Sequence, residues 1–156
     1  MNTVASSLDI GRSTLYRWVG DREKLMDQVI LASIGDIWQR ARQTARGEGI
    51  ERALDAAKKF MEGCVAYEPL AQFAQREPNL ALRVMLNPDG LVTRALERSL
   101  ANEISTCTTS LTVKDETCGV LALAATALVW ANVAAGREPD IEATIGIMRT
   151  VLSTHG

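Results

Sequence analysis

Apolar residues recur every three to four positions along most of the chain, which is the period of an amphipathic helix and not the alternation of a strand. Three stripes show it most clearly: Met26, Ile30, Ile34, Ile37, Ala41 and Ala45; then Ile50, Leu54, Ala57, Met61, Cys64 and Tyr67; and finally Ile141, Ile145, Met148 and Leu152. The pattern predicts an all-α protein.

Glycine, proline and Asx residues divide this pattern into separate helices. Two short helices are expected at the N-terminus, Thr3 to Leu8 and Gly11 to Val19, before a long helix that is capped by Asp21 and ends near Gly47 and Gly49. Later helices are predicted at about Ile50 to Tyr67, Pro69 to Arg76, Asn79 to Leu86, Leu91 to Leu111, Lys114 to Ala135 and Pro139 to Ser153. A turn is predicted at residues 87–90, where the sequence is Asn-Pro-Asp-Gly.

Charge and cysteine content exclude several classes of protein. The 156 residues carry a formal net charge of −2, with a slight basic excess in residues 1–47 and an acidic excess in residues 48–156. Three cysteines without CxxC spacing suggest neither a disulfide framework nor a metal site, and the absence of a signal-peptide pattern favours the cytoplasm. The one histidine, His155, is next to last, so no catalytic base is evident. We therefore expect no enzyme activity, cofactor or metal.

A stretch of 20 residues without a charge, Thr117 to Gly136, is long enough to cross a bilayer as a helix. Its many alanines, together with the polar Asn132, favour instead a helix that is buried in a bundle or at a subunit interface. No membrane partner is expected.

The two short N-terminal helices, followed by the long one, predict a helix-turn-helix whose second helix enters the major groove of DNA. Side chains in the first turn of that helix are placed to meet base edges, and those that follow are suited to phosphate contacts. Arg12, Ser13 and Thr14 are the predicted base-reading residues, and Tyr16, Arg17, Trp18 and Arg22 the predicted phosphate contacts.

The segment VASSLDIGRSTLYRWVGDREKLM, Val4 to Met26, resembles the helix-turn-helix end of the TetR family of transcriptional regulators. Thr14-Leu15-Tyr16 and Arg22-Glu23-Lys24-Leu25 carry the resemblance. It implies a DNA-binding region in residues 1–46, running into the connecting helix, and a helical ligand-binding and dimerisation domain in residues 47–156. Residues 77–90 and 136–142 look more narrowly similar to a branch that contains a regulator of quorum-signal degradation.

The resemblance also implies a further helix before Val4, packed behind the two short ones, for which the printed sequence has only three residues. The helix-turn-helix is therefore predicted to be incomplete as it stands. Two interpretations stay open: an upstream segment is missing from this sequence, or the protein has lost strong DNA binding.

Apolar pockets between helices commonly bind small ligands, and the resemblance implies such a pocket in the body of this protein. The candidate ligand-binding residues are Phe60, Cys64, Tyr67, Phe73, Met85, Trp130 and Asn132. Tyr67 and Asn132 would each offer a polar group in apolar surroundings. For any one of these residues, ordinary core packing is the alternative.

The last two helices have more apolar surface than a single small bundle needs, so we expect them to form a four-helix dimer interface, with intramolecular core as the alternative. A homodimer would place two recognition helices about 34–36 Å apart, or a multiple, and would read a palindromic operator. The sequence thus favours a one-component repressor that a small apolar ligand releases from DNA. The alternative is a dimeric ligand-binding or interaction protein of the same ancestry without tight DNA binding.

Overall fold

The computed structural model of the protein describes residues 13–14, 22–108 and 115–154. Ser13 and Thr14 are helical; the rest of the two predicted N-terminal helices lies outside the described residues, as does Asp21. Every regular element within the described ranges is an α-helix, which confirms the predicted fold class. The helices are α1 (Arg22–Thr44), α2 (Gly49–Ala66), α3 (Glu68–Arg76), α4 (Pro78–Met85), α5 (Leu91–Cys107), α6 (Asp115–Ala134) and α7 (Ile141–Thr154).

The helix boundaries agree with the sequence pattern to within about two residues, except at the end of α5. This helix was expected to reach Leu111 but ends at Cys107, and Thr108 is already extended. The hydroxyls of Ser105 and Thr106 both bond to the backbone carbonyl of Asn102. Threonine has a modest helix propensity, which agrees with a helix that ends in this threonine-rich segment.

The glycines between α1 and α2, and the turn before α5, have the conformations that the sequence predicts. Gly47 and Gly49 have φ angles of +91° and +54°, in the region that only glycine adopts readily. In the turn before α5, Asn87 Oδ1 accepts a hydrogen bond from the Asp89 amide at 3.1 Å. The Gly90 amide donates to the Asn87 carbonyl at 2.9 Å, which closes the turn.

Helix α2 occupies the centre of the bundle and contacts α1, α3, α5 and α7, while α6 packs against α3, α4, α5 and α7. The central position of α2 follows from its composition, because alanines at 53, 56 and 57 let neighbouring helices approach closely. At Gly63, α2 lies directly against the Ile37 side chain of α1, where an added Cβ would lie 2.7 Å from Ile37 Cγ2. This glycine is therefore a packing requirement of the α1–α2 pair.

Helix α1 is fastened to the bundle at both ends. At its C-terminal end, Arg42 Nε donates to the carboxylate of Glu103, which is only 2% exposed, and Arg52 donates to the carbonyls of Ala45 and Arg42 at 2.6 and 3.1 Å. Burying a carboxylate is costly unless a charged partner is present, so this end has a well-defined position. In its first turn, exposed ion pairs join Arg22 to Glu77 and Glu23 to Arg83.

The apolar helix α6 is a helix of the bundle core. Among the described residues, its segment Glu116–Ala134 is long and apolar enough to cross a membrane by length and composition alone, and nearly half of it is buried inside the fold. The buried positions include Cys118, Leu121, Val129, Trp130 and Val133. This burial is the arrangement that the sequence favoured over a membrane span.

Candidate functional site

Two small, partly open voids lie side by side between the helices of the bundle, with volumes of about 50 and 40 Å³. Four side chains line both: Phe60 and Met61 from α2, Leu96 from α5 and Thr126 from α6. The first void is also lined by Trp38, Ala57, Ser99, Leu100, Ala122, Ala125 and Met148. The second is also lined by Ile30, Ile34, Cys64, Leu70, Met85, Val92, Val129 and Trp130. Together the linings include residues from all seven described helices.

The walls of both voids are uncharged and mostly apolar. Trp38 and Phe60 meet edge to face, with ring centroids 5.3 Å apart and planes at 83°, which fixes the Phe60 ring at the boundary between the voids. The hydroxyl of Thr126 donates to the Ala122 carbonyl at 2.7 Å. Burial raises the pKa of the Cys64 thiol to about 12, so it stays protonated and neutral at physiological pH. The site is suited to an uncharged, apolar molecule.

The structure brings four of the seven predicted ligand-binding residues together. Phe60, Cys64, Met85 and Trp130 all line the second void. They come from α2, α4 and α6; α2 and α4 are amphipathic and bury one face, whereas α6 is apolar all round.

The other three predicted residues do not line either void. Tyr67 follows the last residue of α2, is exposed, and faces an outer groove between α1 and α2. Phe73 packs half-buried at the edge of the core. The Asn132 amide donates to the Leu128 carbonyl of its own helix at 2.8 Å, so its polar group is hydrogen-bonded within α6. Their role in ligand binding stays a prediction that the lining of the two voids does not support.

Leu96 and Thr126, which line both voids, were absent from the predicted site. Thr126 lies four residues before Trp130 and therefore shares its face of α6, a spacing that the sequence does contain. Leu96 is one of several leucines in α5, and no pattern in the sequence distinguishes it from the rest.

Helix α1 links these voids to the region predicted to bind DNA. Ile30 and Ile34 line the second void, and Trp38 lines the first. The same helix begins at Arg22, the last predicted DNA contact, whose guanidinium pairs here with Glu77. Ser13 and Thr14 are helical, whereas Arg12, Tyr16, Arg17 and Trp18 lie outside the described residues. A ligand in the voids would thus touch the helix that follows the predicted recognition helix.

Residues 48–153 match the family model described as the tetracyclin repressor-like C-terminal domain. The chain belongs to the TetR family. Membership in this family of transcriptional regulators agrees with the resemblance seen in Val4 to Met26, which lies outside the matched residues.

The fold of this TetR-family chain is similar to that of the R. erythropolis transcriptional repressor QsdR, described as a TetR-family protein, with a TM-score of 0.87. The two sequences are 23% identical, and the match covers 97% of this chain and 83% of the other. At this identity the likeness shows the fold alone, so the narrower resemblance to a quorum-signal branch stays a prediction. No curated protein matches the chain in sequence.

Proposed function

We propose that this TetR-family protein is a cytoplasmic transcriptional repressor that binds operator DNA as a homodimer and is released by a small apolar ligand. Residues 1–46 form the DNA-binding region with its connecting helix, and residues 47–156 form the ligand-binding and dimerisation domain. Arg12, Ser13 and Thr14 read bases, while Tyr16, Arg17, Trp18 and Arg22 contact phosphates.

The position of α1 is the observation that carries the proposal. It supplies three side chains to the walls of the voids, and it follows directly on the segment that resembles a recognition helix. Its C-terminal end is held by the ion pair between Arg42 and the buried carboxylate of Glu103, whereas its first turn is held by exposed ion pairs. Exposed pairs contribute little to stability, so the first turn is the end that is easier to displace.

The mechanism is a population shift between two positions of α1. A ligand that binds more tightly when α1 is displaced stabilises that position by its difference in affinity for the two states. In a dimer, displacing both copies of α1 changes the distance between the recognition helices. The operator then no longer matches that distance, and the protein dissociates from DNA.

Selection from a pool of random duplex DNA tests the DNA-binding part of this function. The chain as printed, and a chain extended upstream in its reading frame, are each incubated with the pool, and the bound sequences are determined. We expect a palindromic consensus and an affinity that falls steeply with salt. Arg12→Ala should abolish the preference at one base position of each half-site, whereas Arg98→Ala, an exposed arginine on α5, should leave it intact.

Absence of any sequence preference in both chains would contradict the repressor function. It would favour instead a dimeric ligand-binding protein of TetR ancestry. A preference that survives Arg12→Ala would show that the base contacts are assigned to the wrong residue.

A further inference from the structure

We infer that the ligand of this protein is an uncharged, mostly apolar molecule that occupies both voids at once by displacing Met61, and that the oxygen of Thr126 accepts a hydrogen bond from it. This inference rests on the proposed function, because it names the class of ligand that the voids bind. Four observations lead to it: the size of the voids, the nature of the side chains that line both, the chemistry of their walls, and the acceptor capacity of the hydroxyl that both voids share.

The size of the voids requires that they be joined. An apolar cavity of about 150 Å³ is what a benzene ring occupies in a well-studied engineered protein. The voids here, at about 50 and 40 Å³, are each too small for a ring. A ligand of even one ring therefore has to move the side chains that separate them.

Met61 is the side chain best suited to move. It lines both voids, and its unbranched thioether has several rotamers of similar energy, which lets methionine adapt to a changing cavity. Phe60 also lines both voids, but its ring is held against Trp38. Rotation of Met61 thus joins the voids while Phe60 remains as a fixed aromatic wall.

The chemistry of the walls excludes a charged ligand. No lysine, arginine, aspartate or glutamate lines either void, and the thiol of Cys64 is kept neutral by its high pKa. A carboxylate or ammonium group placed there would lose its hydration without gaining an ionic partner. The ligand must therefore enter as a neutral molecule.

Thr126 supplies a hydrogen-bond acceptor in the wall common to both voids. Its hydroxyl hydrogen is already donated to the Ala122 carbonyl at 2.7 Å. The oxygen keeps lone pairs that can accept a bond, so the group it recognises on a ligand is an O–H or N–H donor.

Calorimetric titration of the full chain with four single-ring probes of similar shape tests the ligand class. The probes are toluene, p-cresol, 4-methylanisole and p-toluate. We expect the three neutral probes to bind and p-toluate to bind at least 100-fold more weakly than toluene. Binding of p-toluate within tenfold of toluene would overturn the uncharged class, and failure of every neutral probe to bind would overturn the site.

Thr126→Val, with Thr144→Val as its control, tests the hydrogen bond. Thr144 is also buried, donates to a backbone carbonyl four residues earlier, and lines neither void. Thr126→Val should weaken p-cresol about fivefold, the value of one net hydrogen bond, and change toluene and 4-methylanisole less than twofold. The control should change none of them. An equal loss for p-cresol and toluene would show that Thr126 acts only through packing.

Met61→Ala and Met148→Ala test the joining of the voids. Both remove the same atoms from a buried position, but Met61 lines both voids and Met148 only the first. Toluene should bind Met61→Ala at least tenfold more tightly than Met148→Ala, and equal affinities would contradict the role of Met61. If Met61→Ala fails to fold, the wild-type titrations still decide the ligand class. No DNA is present in these titrations. A negative result here would contradict the ligand site, whereas a negative result in the DNA selection would contradict the repressor function.

Discussion

At the scale of single residues, burial controls the chemistry of the candidate site. Cys64 is nearly inaccessible, and desolvation of its thiolate raises its pKa from 9.0 to about 12. The folded protein therefore binds the thiol proton more tightly than the unfolded chain does. This difference contributes stability that is complete below pH 9 and is lost as the pH rises from 9 towards 12.

Replacing Cys64 by alanine removes this proton linkage. Below pH 9 the wild type should be more stable than Cys64→Ala, because the variant loses the packing of the sulfur atom. Above pH 9 the difference should shrink by about 1.4 kcal/mol per pH unit. Urea unfolding of both proteins at half-unit intervals from pH 7.5 to 10.5 measures this difference.

Burial also raises the pKa of Cys107, so this thiol contributes to the pH dependence of stability as well. Because both proteins retain Cys107, its contribution cancels in the stability difference between them. A stability difference that does not change with pH would contradict the buried state of the Cys64 thiol.

The candidate site could be predicted in part because helical period identifies buried faces. Cys64 was found in this way, since it continues the apolar stripe of α2, whereas Phe60, Met85 and Trp130 are large apolar residues outside the three stripes. Tyr67 continues the stripe of α2 as well, but the helix ends one residue earlier and the ring turns outward. An apolar stripe does not show where its helix ends. It also does not show which polar side chain bonds to the backbone of its own helix, as the Asn132 amide does.

At the scale of elements, the packing of α1 on α2 depends on the absence of a side chain at Gly63. The helices themselves were predictable, because their periodicity and breakers are local features of the sequence. The close packing at Gly63 was not predictable, because a glycine within a helix does not reveal which residue of a neighbouring helix packs against it. The structure identifies that residue as Ile37.

Gly63→Ala should destabilise the protein by about 1–2 kcal/mol, because the new methyl group overlaps Ile37 Cγ2 and forces α1 away from α2. Gly35→Ala is the matched control, since Gly35 lies within α1 and nothing is within 4 Å of its added Cβ. That change should stabilise the protein by about 0.5–1 kcal/mol through helix propensity. Thermal or urea unfolding measures both.

The double variant Gly63→Ala/Ile37→Ala shows whether the overlap causes the loss. In the Ile37→Ala background, Gly63→Ala should have no cost, because the obstructing methyl group is gone. An unchanged cost in that background would mean that another contact limits the approach of α1 to α2.

At the scale of the whole molecule, the outer faces of α6 and α7 remain apolar after the bundle has formed. Val120, Leu128 and Ile147 are 68%, 43% and 50% exposed. On α6, the exposed residues Val120, Ala124, Leu128 and Ala131 follow one another at intervals of four, four and three, so they form a continuous stripe. The proposed homodimer would bury this stripe against the same stripe of a second copy.

Val120→Arg should therefore weaken the dimer, because it would place a charged side chain from each copy in the apolar interface. Leu91→Arg is the matched control: Leu91 is 49% exposed at the start of α5 and is not part of the α6 stripe. Sedimentation across micromolar concentrations should show a dimer for the wild type and for Leu91→Arg, and a large shift towards monomer for Val120→Arg.

Circular dichroism should show that both variants keep their helices, since both positions are solvent-exposed. A monomeric wild type at high micromolar concentration would contradict the homodimer, and a Val120→Arg protein that stays dimeric would locate the interface on another face.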